Sequence, residues 1–270
     1  MVPKLKDVLG QLEEMAPLRL AQPWDNPGLQ VGSYDQEIRN IFFALDPTLK
    51  TLRSAYESNA QLLLTHHPLI FKPLSRLEID AFPGNVIFEA AKKGVSVVAV
   101  HTNLDAARGG INDILADLLG LKQMEVLEEV DESEGVGLGR IGDLPQSAAL
   151  SQVVESVKKI FGAHRLRVVG QDGAMIRRMA VVGGSGGSLI SLASRKGADL
   201  LLTGDVSHHH ALEAESMGMG LIDGGHFLTE KTAFRIFAEG LKDVVKVKGW
   251  IVLVEVDEEE RDPIGYGWEY

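Results

Sequence analysis

The sequence predicts an α/β protein with two related α/β/α halves, each built around a mixed sheet. Two observations lead to this fold class: an internal repeat, and short apolar runs with the pattern of buried strands between helical segments. The chain has 270 residues, 45% of them hydrophobic, which is enough for one large domain or two modest ones. The repeat favours two halves.

The repeat lies at a shift of 138 positions along the chain. It aligns Val31–Thr65 with Val169–Thr203 without a gap, and ten of the 35 positions are identical. About two identities are expected by chance at typical composition. We interpret the repeat as an internal duplication, so each half is expected to run helix, strand, strand, turn, helix, strand, with further helix and strand behind it.

The elements can be placed in order from local patterns. Residues 1–15 are typical of an amphipathic helix and not of a signal peptide, and no apolar run approaches the roughly 20 residues of a membrane span. Leu62–Thr65 is apolar without alternation, as in a strand buried on both faces. The acidic stretch Glu125–Gly137 is the predicted boundary, which gives halves of residues 1–127 and 128–270, with the second half free to intertwine with the first.

Composition excludes several classes of protein. The formal charge of −11 and the pI near 5.2 disfavour binding to nucleic acid or to anionic membranes, because like charges repel. The absence of cysteine excludes disulfides, iron–sulfur clusters and thiolate zinc sites, so a bound metal would have nitrogen and oxygen ligands. A cytoplasmic location is expected.

Two histidines follow the first of the repeated strands. His66 and His67 come directly after Leu62–Thr65, and Pro68 then directs the chain out of the sheet because it has no N–H to donate. Both imidazoles can therefore face one cleft at the end of a strand, where α/β proteins commonly place their functional groups.

Each half also offers a histidine followed four residues later by a carboxylate. The pairs are His101 with Asp105 and His226 with Glu230, each following an apolar run. This spacing places two side chains on one face of a helical turn. Together with His66 and His67, these two pairs supply more donor atoms than one tetrahedral zinc requires. We therefore expect two ions about 3.5–4 Å apart in the cleft between the halves. The predicted ligands are His66, His67, His101, Asp105, His226 and Glu230.

The alternative for each histidine alone is a structural role, with the ring held by a backbone carbonyl. That role is the more common one for a single histidine after a strand. Three such features, two of them at matching places in duplicated halves of a protein with only eight histidines, favour a metal site instead. Nitrogen and carboxylate ligands admit Zn, Fe, Mn, Co or Ni.

Two divalent ions with open positions lower the pKa of water and polarise a carbonyl or phosphoryl oxygen, which are the requirements of hydrolysis. The sequence therefore predicts a metal-dependent hydrolase of a small, unidentified substrate, with His101 and His209 as candidate catalytic residues that move a proton. The alternative is a protein without enzymatic activity that stores or delivers metal, or an adaptor.

Three other features leave alternatives open. His208–His210 could line the cleft, although a surface tract is the simpler interpretation. The Gly-rich segment Val181–Ser188 could bind an anion through backbone N–H groups or form a tight turn. Trp24–Gly28 could be a turn capped by Asp25 or Asn26, or a wall of the cleft.

An ordered set of motifs resembles one known family. The motifs are "WDNPGLQVG", "LLLTHHPLIF", "VHTNLDAARGGIND", "GVGLGRIGDL", "VVGGSGGSLI", "LLLTGDVSHHHAL" and "DGGHFLTEK". Together they resemble the GTP cyclohydrolase I type 2 homologue family, also called NGG-interacting-factor-three-like dinuclear metal proteins, in the short form without an inserted third domain.

The resemblance implies a two-domain α/β/α fold, a dinuclear metal centre between the halves, and a homohexamer built as a trimer of dimers. By position, the residues similar to the family's ligands are His66, His67, Asp105, His226 and Glu230, and His101 matches a further histidine at the site. Where the family often has Thr-Gly-Glu, this chain has Thr203-Gly204-Asp205, which shortens one carboxylate near the site.

Overall fold

The computed structural model describes residues 1–131 and 135–265. The α-helices are α1 (Leu5–Met15), α2 (Leu49–Glu57), α3 (Gly84–Lys93), α4 (Thr102–Ala106), α5 (Ile111–Leu118), α6 (Leu150–Phe161), α7 (Ile190–Arg195), α8 (His208–Ser216) and α9 (His226–Val247). The strands are β1 (Gly28–Val31), β2 (Asn40–Ala44), β3 (Leu62–Thr65), β4 (Ser96–Ala99), β5 (Lys122–Asp131), β6 (Val136–Ala149), β7 (Arg167–Val169), β8 (Met175–Ser185), β9 (Leu200–Gly204), β10 (Gly220–Asp223) and β11 (Leu253–Val256). Within the two described ranges, none of these helices combines the length and apolar character needed to cross a membrane.

The chain folds into two compact units. Unit 1 contains residues 1–104 and the C-terminal segment that begins at Phe234, and unit 2 contains residues 105–233. The chain passes from one unit to the other within α4 and returns within α9. The stretch predicted as the boundary, residues 125–137, falls within unit 2. Residues 125–131 belong to β5, and residues 136 and 137 belong to β6. Residues 132–134 lie outside the described residues.

Unit 1 has a five-stranded mixed sheet in the order β1-β4-β3-β2-β11. The central strands β2, β3 and β4 run parallel and are buried at every position, which explains their continuous apolar sequence. On one face, α2 and α3 pack a cluster that includes Leu52, Leu63 and Val86. Elsewhere in the unit, Phe234 of α9 lies 5.2 Å from Phe43 of β2, ring centre to ring centre.

Unit 2 has a six-stranded mixed sheet in the order β5-β6-β8-β9-β10-β7. The strands β8, β9 and β10 are parallel, and the outer strands β5, β6 and β7 pair antiparallel. Its core cluster joins the sheet to α7 and α8 through Ala180, Ile190, Leu201, Ala214 and Leu221.

The two sheets repeat one topology. In unit 1 the order β1-β4-β3-β2 ends in an antiparallel pairing of β1 with β4, and in unit 2 the order β7-β10-β9-β8 ends in an antiparallel pairing of β7 with β10. The strands β2 and β3 correspond to β8 and β9, with which they align in the sequence repeat, while β4 and β10 correspond by their place in the sheets. The predicted α/β class with two mixed sheets is confirmed, and the shared order supports the internal duplication.

Candidate metal centre

The strand ends of unit 1 bring the candidate ligands to one edge of the sheet. Because β2, β3 and β4 are parallel and adjacent, their carboxyl ends lie side by side. Asp46 follows β2, His66 and His67 follow β3, and His101 follows β4. Residues far apart in sequence therefore meet at this edge.

Three imidazoles form a compact cluster there. One ring nitrogen from each of His66, His67 and His101 lies within 4.8 Å of the others. The His66 ring is fully buried and its centre lies 5.7 Å from that of Phe234, while the other two rings are partly exposed. Three converging imidazoles match the nitrogen ligands that divalent transition metals prefer.

Each of these rings is held by a hydrogen bond at Nδ1. The partner of His66 is the Val100 carbonyl oxygen, that of His67 is Asp46 Oδ1, and that of His101 is Asp25 Oδ1, each at 2.8 Å. A carbonyl oxygen can only accept, so His66 carries its proton on Nδ1, and ionised carboxylates fix the same arrangement for the other two rings. Nε2 is thus the ring nitrogen that would bind a metal, in the orientation that metal-binding histidines typically have. The residues present fit a metal ion.

Asp25 is the more strongly held of the two carboxylates. Its side chain is buried and also accepts hydrogen bonds from the backbone N–H and hydroxyl of Thr102 and from the Asn26 N–H. Burial by itself would raise the pKa of Asp25, but the hydrogen bonds from His101 and Thr102 outweigh it and lower that pKa to about 2. Asp25 therefore remains an anion beside His101 throughout the neutral range.

Asp46 is positioned by the C-terminal segment of unit 1. The Glu260 carboxylate accepts the backbone N–H groups of Leu45 and Asp46, both at 2.8 Å. The His67 N–H donates to the Leu45 carbonyl at 3.0 Å. The turn that carries Asp46 is thus fixed on one side by Glu260 and on the other by the backbone of His67.

Unit 2 contains a second donor group at the carboxyl ends of its parallel strands. His226 begins α9, and its Nε2 lies 3.0 Å from Oε2 of Glu230, one helical turn later. The His226 Nδ1 is 2.7 Å from Asp205 Oδ2, and Asp205 directly follows β9. The shorter carboxylate of Thr203-Gly204-Asp205 therefore orients His226, and its positive φ of 54° is a conformation that aspartate tolerates.

The Gly-rich segment packs against this second group. Gly184 has φ of 62°, and a Cβ placed on it would lie 2.0 Å from Glu230 Oε1 and 3.4 Å from His226 Nε2. A Cβ on Gly187 would lie 2.2 Å from the His210 ring. Gly184 is therefore needed for the left-handed turn and for the close approach of Glu230, and Gly187 leaves room for the His210 ring.

The remaining predicted residues lie elsewhere on unit 2. Asp105 is on α4, where its backbone oxygen accepts a hydrogen bond from Asn112 Nδ2 at 3.0 Å. His208 and His209 are exposed in the first turn of α8, with ring centres 5.9 Å apart. The ligand role of Asp105, like that of the five residues described above, stays a prediction, as do the proton-transfer roles of His101 and His209.

Sequence reasoning missed the carboxylates that orient the histidines. Asp46 carried a signal, since it follows β2 as the histidines follow β3 and β4, and Asp205 was noticed only as a departure from the family pattern. For Asp25 the sequence indicates only a turn cap or a wall of the cleft. It precedes β1, and no local pattern connects it with His101.

Comparison with known proteins identifies the family. A sequence model of Duf34/NIF3 (NGG1p interacting factor 3) matches residues 3–263. The chain belongs to this family. The resemblance predicted from the motifs is confirmed.

Relatives match over nearly their full length. A protein of Clostridium perfringens named GTP cyclohydrolase 1 type 2 homolog is 31% identical over 267 residues, which cover 99% of this chain and 95% of the relative. A protein of the same name from Lactococcus lactis is 36% identical, covering 88% and 91% of the two chains. The crystal structure of a Bacillus cereus protein related to NIF3 superimposes with a TM-score of 0.91 at 26% identity, covering 98% and 99%.

Proposed function

We propose that this protein is a divalent-metal-dependent hydrolase that acts on a small substrate. The observation that carries the proposal is a hydrogen-bonding pattern that four histidines share. His66, His67, His101 and His226 each have Nδ1 bound to a carbonyl or carboxylate oxygen, which directs Nε2 toward a ligand. A structural histidine can also be held by one hydrogen bond, but the convergence of ring nitrogens of His66, His67 and His101 within 4.8 Å of one another favours ligands for a metal.

We propose two ions per chain, in line with the sequence prediction. In unit 1 the donors would be His66, His67 and His101, and in unit 2 they would be His226 and Glu230. Asp105 is the proposed sixth ligand, by family resemblance. When bound, such ions polarise a carbonyl or phosphoryl oxygen and allow water to act as a nucleophile near neutral pH.

The chain's own residues have separate parts in this proposal. Asp25 and Asp46 accept hydrogen bonds at Nδ1 of His101 and His67, which makes Nε2 the nitrogen that would donate an electron pair to a metal, and their negative charges stabilise cationic charge beyond the rings. His209 is exposed and can exchange a proton with a substrate or with solvent. The relatives named GTP cyclohydrolase 1 type 2 homolog suggest purines and cyclic amides as the first substrates to test.

The test combines metal analysis with a substrate panel. The protein is purified without added metal, and its Zn, Fe, Mn, Co and Ni contents are measured. Nucleotides, phosphoesters and cyclic amides are then assayed with each ion. We expect His67→Ala to lose metal and turnover, and the matched control His164→Ala, which changes an exposed histidine of unit 2, to keep both. Full metal content without turnover on any substrate would favour metal storage or delivery instead.

We also propose a homohexamer, built as a trimer of dimers, in the cytoplasm. The hexamer rests on the family resemblance, since closed symmetric assemblies are the usual form of soluble homo-oligomers. Light scattering over a range of protein concentrations is expected to give six times the 29.3 kDa chain mass. A monomer at all concentrations would contradict this proposal.

A further inference from the structure

Two large aromatic rings lie exposed beside the histidine cluster of unit 1. Trp24 is 57% exposed and Phe71 is 44% exposed. Their ring centres are 5.7 Å apart in an edge-to-face arrangement, and they lie 6.2 and 6.4 Å from the centre of the His101 ring. Exposing two such rings side by side forgoes the burial that usually stabilises aromatic residues.

The loops that carry the two rings are firmly held. Asn26 Nδ2 donates to the Ile70 carbonyl at 2.6 Å, and the Ile70 N–H donates to Gln30 Oε1 at 3.0 Å. Asp25, the neighbour of Trp24, is buried against His101. The rings are therefore exposed on a preorganised surface, which lowers the entropic cost of binding a ligand there.

We propose that Trp24 and Phe71 form a stacking site for a planar heterocyclic ring of the substrate. This inference rests on the proposed function, because the position beside His101 places the ring next to the candidate metal ligands. Aromatic side chains bind heterocycles by stacking, without requiring a particular pattern of hydrogen bonds. A protein partner bound to these two rings would cover His101. A small heterocycle stacked on them would leave His101 accessible to the rest of the substrate.

The test measures ring binding without metal, so that it is independent of turnover. In protein carrying Trp250→Phe and Trp268→Phe, Trp24 is the only indole, and its fluorescence is followed in the presence of a chelator. Guanosine and uridine supply a planar ring, and ribose is the control without one. We expect the two nucleosides to quench the fluorescence in a saturable manner and ribose to leave it unchanged. Equal responses to all three compounds would overturn the proposal.

Variants locate the site by calorimetry with guanosine. Trp24→Ala and Phe71→Ala are each expected to weaken binding about tenfold, the value for loss of one stacking contact. Trp24→Phe is expected to retain most of the affinity, because it keeps a ring. Phe88→Ala, which removes a comparably exposed phenylalanine on α3, is the matched control and should bind as the parent does.

Three outcomes separate the alternatives. If the alanine variants remain folded by circular dichroism, keep their metal content and lose nucleoside binding, the stacking site is supported. If they bind nucleosides normally but change oligomeric mass, the rings form a subunit contact and the proposal is wrong. If the parent protein binds nucleosides at this site but hydrolyses nothing with any metal, the stacking site is supported while the proposed hydrolase function fails.

Discussion

Glu260 helps to position His67, a histidine of the candidate metal centre, and Glu260→Gln tests that connection. The carboxylate of Glu260 accepts the N–H groups of Leu45 and Asp46, and Asp46 in turn orients His67. Glutamine keeps one acceptor oxygen but presents an NH₂ group to the second N–H. One charge-assisted hydrogen bond is lost and the other is weakened.

The expected magnitude follows from these two bonds. A hydrogen bond to a charged group contributes about 1.5–3 kcal/mol to stability. If about half of one such bond is transmitted to the orientation of Asp46 and His67, metal affinity falls by about 0.75–1.5 kcal/mol, or about 4- to 13-fold. The upper part of this range meets the low end of the 10–100-fold losses typical when a group that orients a metal ligand is changed.

The assay is competition for Co²⁺ against a chelating indicator, at a temperature where circular dichroism shows every variant folded. The matched control is Glu258→Gln, which removes a carboxylate two residues away whose ion pair with Arg235 is more than half exposed. Such a surface pair contributes about 0–1 kcal/mol and has no link to His67 among the described contacts, so metal affinity should change less than twofold. Equal affinities for the two variants would refute the connection.

Three further predictions concern the same groups. Gly184→Ala is expected to lower the free energy of unfolding by about 1–3 kcal/mol and to reduce metal content, because the new Cβ would meet Glu230 and the φ of this residue is positive. The control is Gly173→Ala, which has open space around it and should change the free energy of unfolding by less than about 1 kcal/mol. Urea denaturation measures both. Asp205→Ala is expected to weaken metal binding about 10–100-fold by releasing His226 Nδ1; unchanged affinity in the Co²⁺ competition would contradict it. Chelation is expected to lower the melting temperature reversibly, since an ion at 100 times its Kd stabilises the folded state by about 2.7 kcal/mol, and calorimetry before and after metal return checks this.

Features encoded locally were predictable from the sequence. The apolar runs of β3 and β9, the repeat around them and the histidines that follow β3 and β4 all depend on neighbours along the chain. Parallel pairing then brings strand ends together by a general rule of α/β sheets. The histidine cluster of unit 1 follows from these two facts.

Features that depend on pairing across the chain were not predictable. Asp25 reaches His101 because β1 pairs antiparallel with β4, so that Gly28 at the start of β1 lies opposite Ala99 at the end of β4. Glu260 reaches Leu45 across 215 residues because β11 pairs with β2. Neither pairing leaves a pattern in the residues concerned, since charged residues in turns are common for many reasons.

The pairing of β11 with β2 has a consequence for synthesis of the protein on the ribosome. β2 is completed about 215 residues before Glu260 emerges, and at 5–20 residues per second this interval lasts about 10–40 s. During that time the edge of β2 that later pairs with β11 has unpaired N–H and C=O groups. The residues of β2 are buried in the finished protein but exposed on the nascent chain. Open apolar edges promote association between chains. The nascent chain therefore passes through a period in which β2 needs protection, and the turn that orients His67 acquires its Glu260 hydrogen bonds only when that period ends.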